Sequence, residues 1–189
     1  MAVVICSSNY LVQFSFPYFG LQEILTWGAF TYPVTFLVTD LANRFFGNQF
    51  AKKIVIFGFI LGIIFSFILT FEGFNLIVLR IVIASGVAFL AGQLLDIRVF
   101  NVLRNKLWFI PPLVSSILGS VLDTVVFFSI AFYGTDSSWI MLAFGDLIIK
   151  FIFAFAMLLP FKILIIRIER YSKSFIIITI IEAMFSYSS

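Results

Sequence analysis

Histidine is absent from this 189-residue chain, cysteine occurs once, and charged side chains make up only 11% of it. The missing imidazole excludes histidine general bases, histidine proton relays and the usual zinc sites. With Cys6 alone, no disulfide forms within one chain. No glycine-rich ATP-binding loop is present either. Asp, Lys, Arg, amides and aromatics are left to carry the function, and no cofactor is expected. What the chain has in plenty is apolar: 62% of its residues are hydrophobic and its mean hydropathy is +1.17. That exceeds what a soluble core of this size buries. Apolar runs of about twenty residues are the length a helix needs to cross the hydrocarbon, and the ten-residue alternation of an outer-membrane barrel is missing. The expected class is an all-α, multi-pass membrane protein. Because the first segment carries no basic stretch, it reads as a span rather than a cleaved signal.

Six spans are expected, at about 2–18, 26–46, 54–72, 76–97, 113–133 and 139–167, forming a single domain over 1–173. Glu23, Glu72 and Asp136 mark the first, third and fifth connections, which carry no Lys or Arg. Arg44, Lys52 and Lys53 cluster at the second, Arg104 and Lys106 at the fourth, and Arg167, Arg170 and Lys173 follow the last span. Positive charge stays on the cytoplasmic side, so the six-helix bundle reads as N-in/C-in. The net charge of +3 is this bias and gives no support for a nucleic-acid partner. Beyond Lys173 the apolar stretch 174–185 is too short to span and contains Glu182, so residues 174–189 read as a peripheral or disordered tail.

Several features are read as packing. Gly58, Gly62 and Ser66 recur every fourth residue, as do Ala84, Ala88 and Gly92, which lets helix backbones approach closely within one bundle or between two, leaving the oligomeric state open. Most of the 27 phenylalanines are lipid-facing or bundle-filling. Pro160 reads as a kink, and Arg80 as a structural residue near the outer end of its span.

Polar groups inside the spans need another explanation. Pro33, Phe36, Asp40 and Asn43 share one face of the second span by their steps of three and four, and Phe89, Gln93, Asp96 and Phe100 share one of the fourth. Ser116, Ser120, Asp123 and Phe127 repeat the arrangement on the fifth, while Asp146, Lys150 and Met157 lie along the last. Four carboxylates at mid-bilayer would oppose insertion by about 10 kcal/mol, comparable to the whole stability of a domain, about 5–15 kcal/mol. Asp146 and Lys150, one turn apart, read either as an ion pair that makes the helix insertable or as a functional pair. Asp96, beside Arg98, has the option of snorkelling toward water. Asp40 and Asp123 have no such relief in sequence and point to a shielded polar cavity.

The stretch 26–47 (TWGAFTYPVTFLVTDLANRFFG) closely resembles the second-helix signature of the queuosine precursor transporters, the vitamin-uptake-type transporter family. Two further blocks agree, 92–101 (GQLLDIRVFN) and 115–127 (SSILGSVLDTVVF), and the likeness runs from about Asn9 to Lys162. The resemblance implies a six-helix carrier in the cytoplasmic (inner) membrane that imports 7-deazaguanine precursors of a tRNA nucleoside, such as the 7-cyano and 7-aminomethyl bases. The polar residues suit such a solute. A guanine-like base offers a donor edge that an ionised carboxylate accepts in a paired, charge-assisted hydrogen bond, and its ring stacks on aromatics at about 1–3 kcal/mol per base. Asp123 or Asp40 is expected to read the base edge, with Gln93, Lys150 and Asn43 supplying donors. Trp27, Phe36 and Phe127 are stacking candidates, and Asp96 and Ser120 complete the expected site.

Other classes are compatible with parts of the pattern. The substrate-binding component of an energy-coupling-factor vitamin importer is also a small six-helix bundle, and would depend on partner chains for ATP hydrolysis. An intramembrane aspartyl protease would need two Asp sharing a proton; Phe144-Gly145-Asp146 lacks the first glycine of such a motif, and Lys150 stands one turn from Asp146.

Overall fold

A computed structural model describes residues 28–70, 76–134 and 139–171. They form five helices, α1 (Gly28–Phe46), α2 (Asn48–Thr70), α3 (Leu76–Leu103), α4 (Ile110–Phe132) and α5 (Trp139–Ala156), with no strand among the described residues. After a single turn residue, Met157, the last helix resumes over 158–171. The span expected at 2–18, Trp27 and the tail 174–189 lie outside the described residues. The other five expected spans all appear as helices, with shifted ends. α2 starts six residues earlier than expected because Gly47, at φ +84°, turns the chain directly from α1 into α2. The Gly47 N–H donates to the Asn43 carbonyl at 3.1 Å. α4 opens with Pro111 and Pro112 in its first turn, where the missing N–H costs no helical bond.

Among the described residues four stretches are long and apolar enough to cross a membrane: Asn48–Phe65, Leu79–Leu103, Ile110–Phe132 and Trp139–Tyr171. α1 is the exception, and burial gives the reason: its polar residues Thr35, Thr39, Asp40 and Asn43 are at most 2% exposed, shielded by the rest of the bundle. Packed against all four other helices, α1 is the centre of the described fold. The outer surface reads as lipid-facing, as the exposed stripe Ile140, Phe144, Ile148, Ile152, Phe155 and Leu159 shows along α5 and its continuation.

The most extensive contact joins α3 and α4. It is made by two glycines: a Cβ at Gly92 would lie 2.9 Å from the Gly119 carbonyl oxygen, and one at Gly119 would lie 2.9 Å from the Gly92 carbonyl oxygen. The small-residue seam of α3 thus serves within the bundle, with Ala84 and Ala88 fully buried. Arginines tie the helix ends. Arg104 donates to the Asn43 and Arg44 carbonyls at the end of α1, and Arg80 donates to Ile130 and Tyr133 carbonyls at the end of α4. These are the cation-on-carbonyl caps favoured at helix C-termini. Arg104, the α1–α2 junction and Lys162, whose ammonium sits 4.9 Å over the Trp108 ring, gather positive charge at one end of the bundle.

Candidate functional site

Pro160 has no N–H to offer the carbonyl of Ala156, so the α5 helix breaks at Met157. The Met157 and Phe161 N–H groups still bond one turn back, at 2.8 and 3.0 Å, which keeps the two pieces roughly continuous. The break borders a cavity of about 20 Å³, lined by Pro33, Phe36 and Asp40 from α1, Pro112, Ser116 and Ser120 from α4, and Lys150, Phe153, Met157 and Phe161 from the last helix. An interrupted helix with polar groups beside it is where membrane carriers place solutes. The space holds a water molecule or two, so a fused bicyclic ring requires the walls to part.

Two carboxylate groups of different character meet the cavity. The first is built on Lys150. Its ammonium donates to Asp123 Oδ2 at 2.7 Å and Thr124 Oγ1 at 2.9 Å, and pairs with Asp146 Oδ2. Thr124 in turn donates to Asp146 Oδ2 at 2.6 Å. The three N–H bonds of the ammonium match these three acceptors, so the cluster is saturated. The ion pair offered by the spacing of Asp146 and Lys150 therefore forms, and Asp123 joins it from α4.

The second group is Asp40 with Asp96. Asp40 is 2% exposed, and the Ser115 and Ser116 hydroxyls donate to its oxygens at 3.3 and 3.4 Å. Asp96 lies beside Asp40 and Ser115, fully buried, with no donor on either oxygen among the described residues. The snorkelling considered for Asp96 does not occur; only Arg98 turns outward. Gly119 bears on the placement, because a Cβ there would lie 3.3 Å from the Asp96 Cβ.

The remaining expected residues fall into place around these. Phe36 and Ser120 line the cavity. Gln93 is held in a clamp between α3 and α1, accepting from Thr39 at 2.6 Å and donating to Thr35 at 3.1 Å. Asn43 donates to the Ile97 carbonyl at 3.1 Å, a turn away from Asp40. Phe127 sits edge-on to Phe128 and Phe132, outside the cavity lining. Thr35, Thr39, Ser115 and Thr124 were not singled out by sequence. Their signal was positional: each stands beside or one turn from a polar residue of its own helix.

A multi-pass helical membrane protein with buried charges from several helices meeting at an internal cavity has the construction of a small-solute carrier. The chain belongs to the family described as "Putative vitamin uptake transporter", which matches residues 26–165. It is similar to the "Queuosine precursor transporter" of Escherichia coli (strain K12), 37% identical over 177 residues covering 84% of this chain and 79% of the relative. It is equally similar to the "Probable queuosine precursor transporter" of Haemophilus influenzae, 37% identical over 186 residues covering 83% and 79%. No solved structure gives a significant match.

Proposed function

We propose that this protein imports queuosine precursors, 7-deazaguanine bases, across the bacterial cytoplasmic membrane as a six-helix N-in/C-in carrier. The observation that carries the reading is the convergence of Asp40, Ser116, Ser120 and Lys150 from three helices on one cavity walled by Phe36 and Phe153. Carboxylates and hydroxyls suit the donor edge of the base, and phenylalanine faces suit its ring. Asp40 lines the wall and Asp123 is paired with Lys150, which also lines it; this supports the reading in which one of the two carboxylates meets that edge. Orientation follows from the basic connections on one side and the acidic ones on the other. The relatives' names favour this reading over a vitamin-binding component of an energy-coupling importer. A strain lacking both queuosine synthesis and uptake, fed each precursor in turn, should regain queuosine in its tRNA when this chain is expressed. Absence of the nucleoside with every precursor, while the protein is present in the membrane, refutes the reading.

A further inference from the structure

Charge is spread unevenly along the bundle, and one end of it lacks counter-charge. Apart from Arg80 and Lys150, every described Lys and Arg lies near the α1–α2 junction, near the α3–α4 connection or beyond the break at Met157. The one exposed acid described among them is Glu169. At this end the last helix reaches the α3–α4 connection, where the Lys162 ammonium lies 4.9 Å from the centre of the Trp108 ring, within cation–π range. Both residues remain exposed, Trp108 by 38%, and so does Lys106 in the same connection. Neither lysine has a carboxylate partner among the described residues. Lys162 also ends an apolar stripe: Ile152, Phe155 and Leu159, each more than half exposed, lead to it in steps of three and four. An exposed tryptophan and two lysines at the foot of a lipid-facing stripe match the headgroup and the hydrocarbon of a phospholipid.

We propose that an anionic phospholipid binds here, with its phosphate on Lys162 and Lys106 beside Trp108 and an acyl chain along Leu159, Phe155 and Ile152. Phosphate oxygens accept hydrogen bonds and carry the charge that these ammonium groups lack, so the contacts are charge-assisted. A zwitterionic headgroup would bring its own cation into a region already rich in Lys and Arg, which repels it. Basic pockets at the ends of spans recognise anionic headgroups on this principle, and the stripe favours a lipid over a soluble phosphate. The site also bears on the cavity. Phe161, next to Lys162, is buried and lines the cavity together with Met157. A phosphate that joins Lys162 to the α3–α4 connection holds the segment beyond the break, and so sets how readily that wall moves. Binding is independent of the importer reading above; only its effect on uptake rests on that reading.

The test is thermal unfolding of the full-length protein in nanodiscs of phosphatidylcholine containing rising fractions of phosphatidylglycerol with the same chains. Phosphatidylglycerol should raise the unfolding temperature to a plateau, and Lys162→Gln should raise the fraction needed about fivefold. Lys162→Arg keeps the charge and should behave as the wild type. Lys53→Gln removes an exposed cation from α2, which packs chiefly on α1 and α3, and should leave the titration unchanged. Equal stability in both lipids overturns the proposal. So does an equal effect of Lys162→Gln and Lys53→Gln, which means a diffuse basic surface. The same rise produced by glycerol phosphate in solution means a free-anion site, and overturns the lipid assignment. Should Lys162→Gln fail to remain monodisperse, Lys106→Gln takes its place, and an unshifted titration there overturns the proposal. In liposomes, phosphatidylglycerol should speed uptake of the labelled base by the wild type and not by Lys162→Gln; uptake indifferent to the lipid overturns the link to the cavity wall. Wild-type protein that moves no base in either lipid refutes the importer reading, while the unfolding titration still decides the lipid site.

Discussion

At the Lys150 ammonium, three donors face three acceptors from two helices, and removal of any one partner leaves a charge that the bilayer interior does not solvate. Lys150→Met should therefore destabilise the protein by about 3–5 kcal/mol, read as a lower unfolding temperature in detergent. Pairing it with Asp123→Asn should restore part of the loss, the non-additivity expected of direct partners. Asp123→Asn alone should abolish uptake while the protein still reaches the membrane, and normal uptake by that variant would remove Asp123 from the mechanism. At this scale sequence went far but not all the way. Asp40, Asp123 and Lys150 stood out because intramembrane charge has to be explained. That Asp123 joins Lys150 while Asp96 stays with Asp40 depends on how α3, α4 and α5 are rotated against one another, which no single helix encodes. Gln93 shows the same limit: its face was evident, its commitment to Thr35 and Thr39 was not.

Among the helices, the pairing of α3 with α4 depends on two positions without a side chain. Gly92→Ala forces a methyl to within 2.9 Å of both the Gly119 carbonyl oxygen and the Asp123 Cβ. Overpacking of that kind costs about 1–3 kcal/mol, so its unfolding temperature should fall by several degrees, at about 2–4 °C per kcal/mol for a chain of this size. Because the carboxylates of both groups ride on this crossing, uptake should fall further than stability alone accounts for. The break in the last helix calls for the opposite substitution. Pro160→Ala restores the N–H that bonds the Ala156 carbonyl, and should straighten the helix, raise thermal stability and slow uptake, since the cavity wall then parts less readily. Uptake at the normal rate by that variant would show that the break plays no part in opening. Helix positions were legible from hydropathy, and Pro160 as a kink from its chemistry. The early start of α2 was hidden because Gly47 links it to α1 without a loop.

For the molecule as a whole, the expected topology is open to a direct check. In a Cys6→Ser background, Gly134→Cys at the α4–α5 end should react with a membrane-impermeant thiol reagent in intact cells, and Lys106→Cys should react only after permeabilisation. The reverse pattern would invert the bundle. Both positions are exposed. The expected sidedness rests on the basic clusters, and of the arginines in those clusters Arg104 also caps the end of α1.

Four acids and one amine are held among these packed helices. A formal excess of anions fixed in low dielectric repels anionic solutes and makes the interior hospitable to a monovalent cation. An interior-negative membrane voltage would draw such a cation inward with about 2.3 kcal/mol per 100 mV, enough for accumulation of about fiftyfold with neither nucleotide hydrolysis nor a companion ion. Liposomes poised with a potassium diffusion gradient would reveal this as uptake that rises and falls with the imposed voltage.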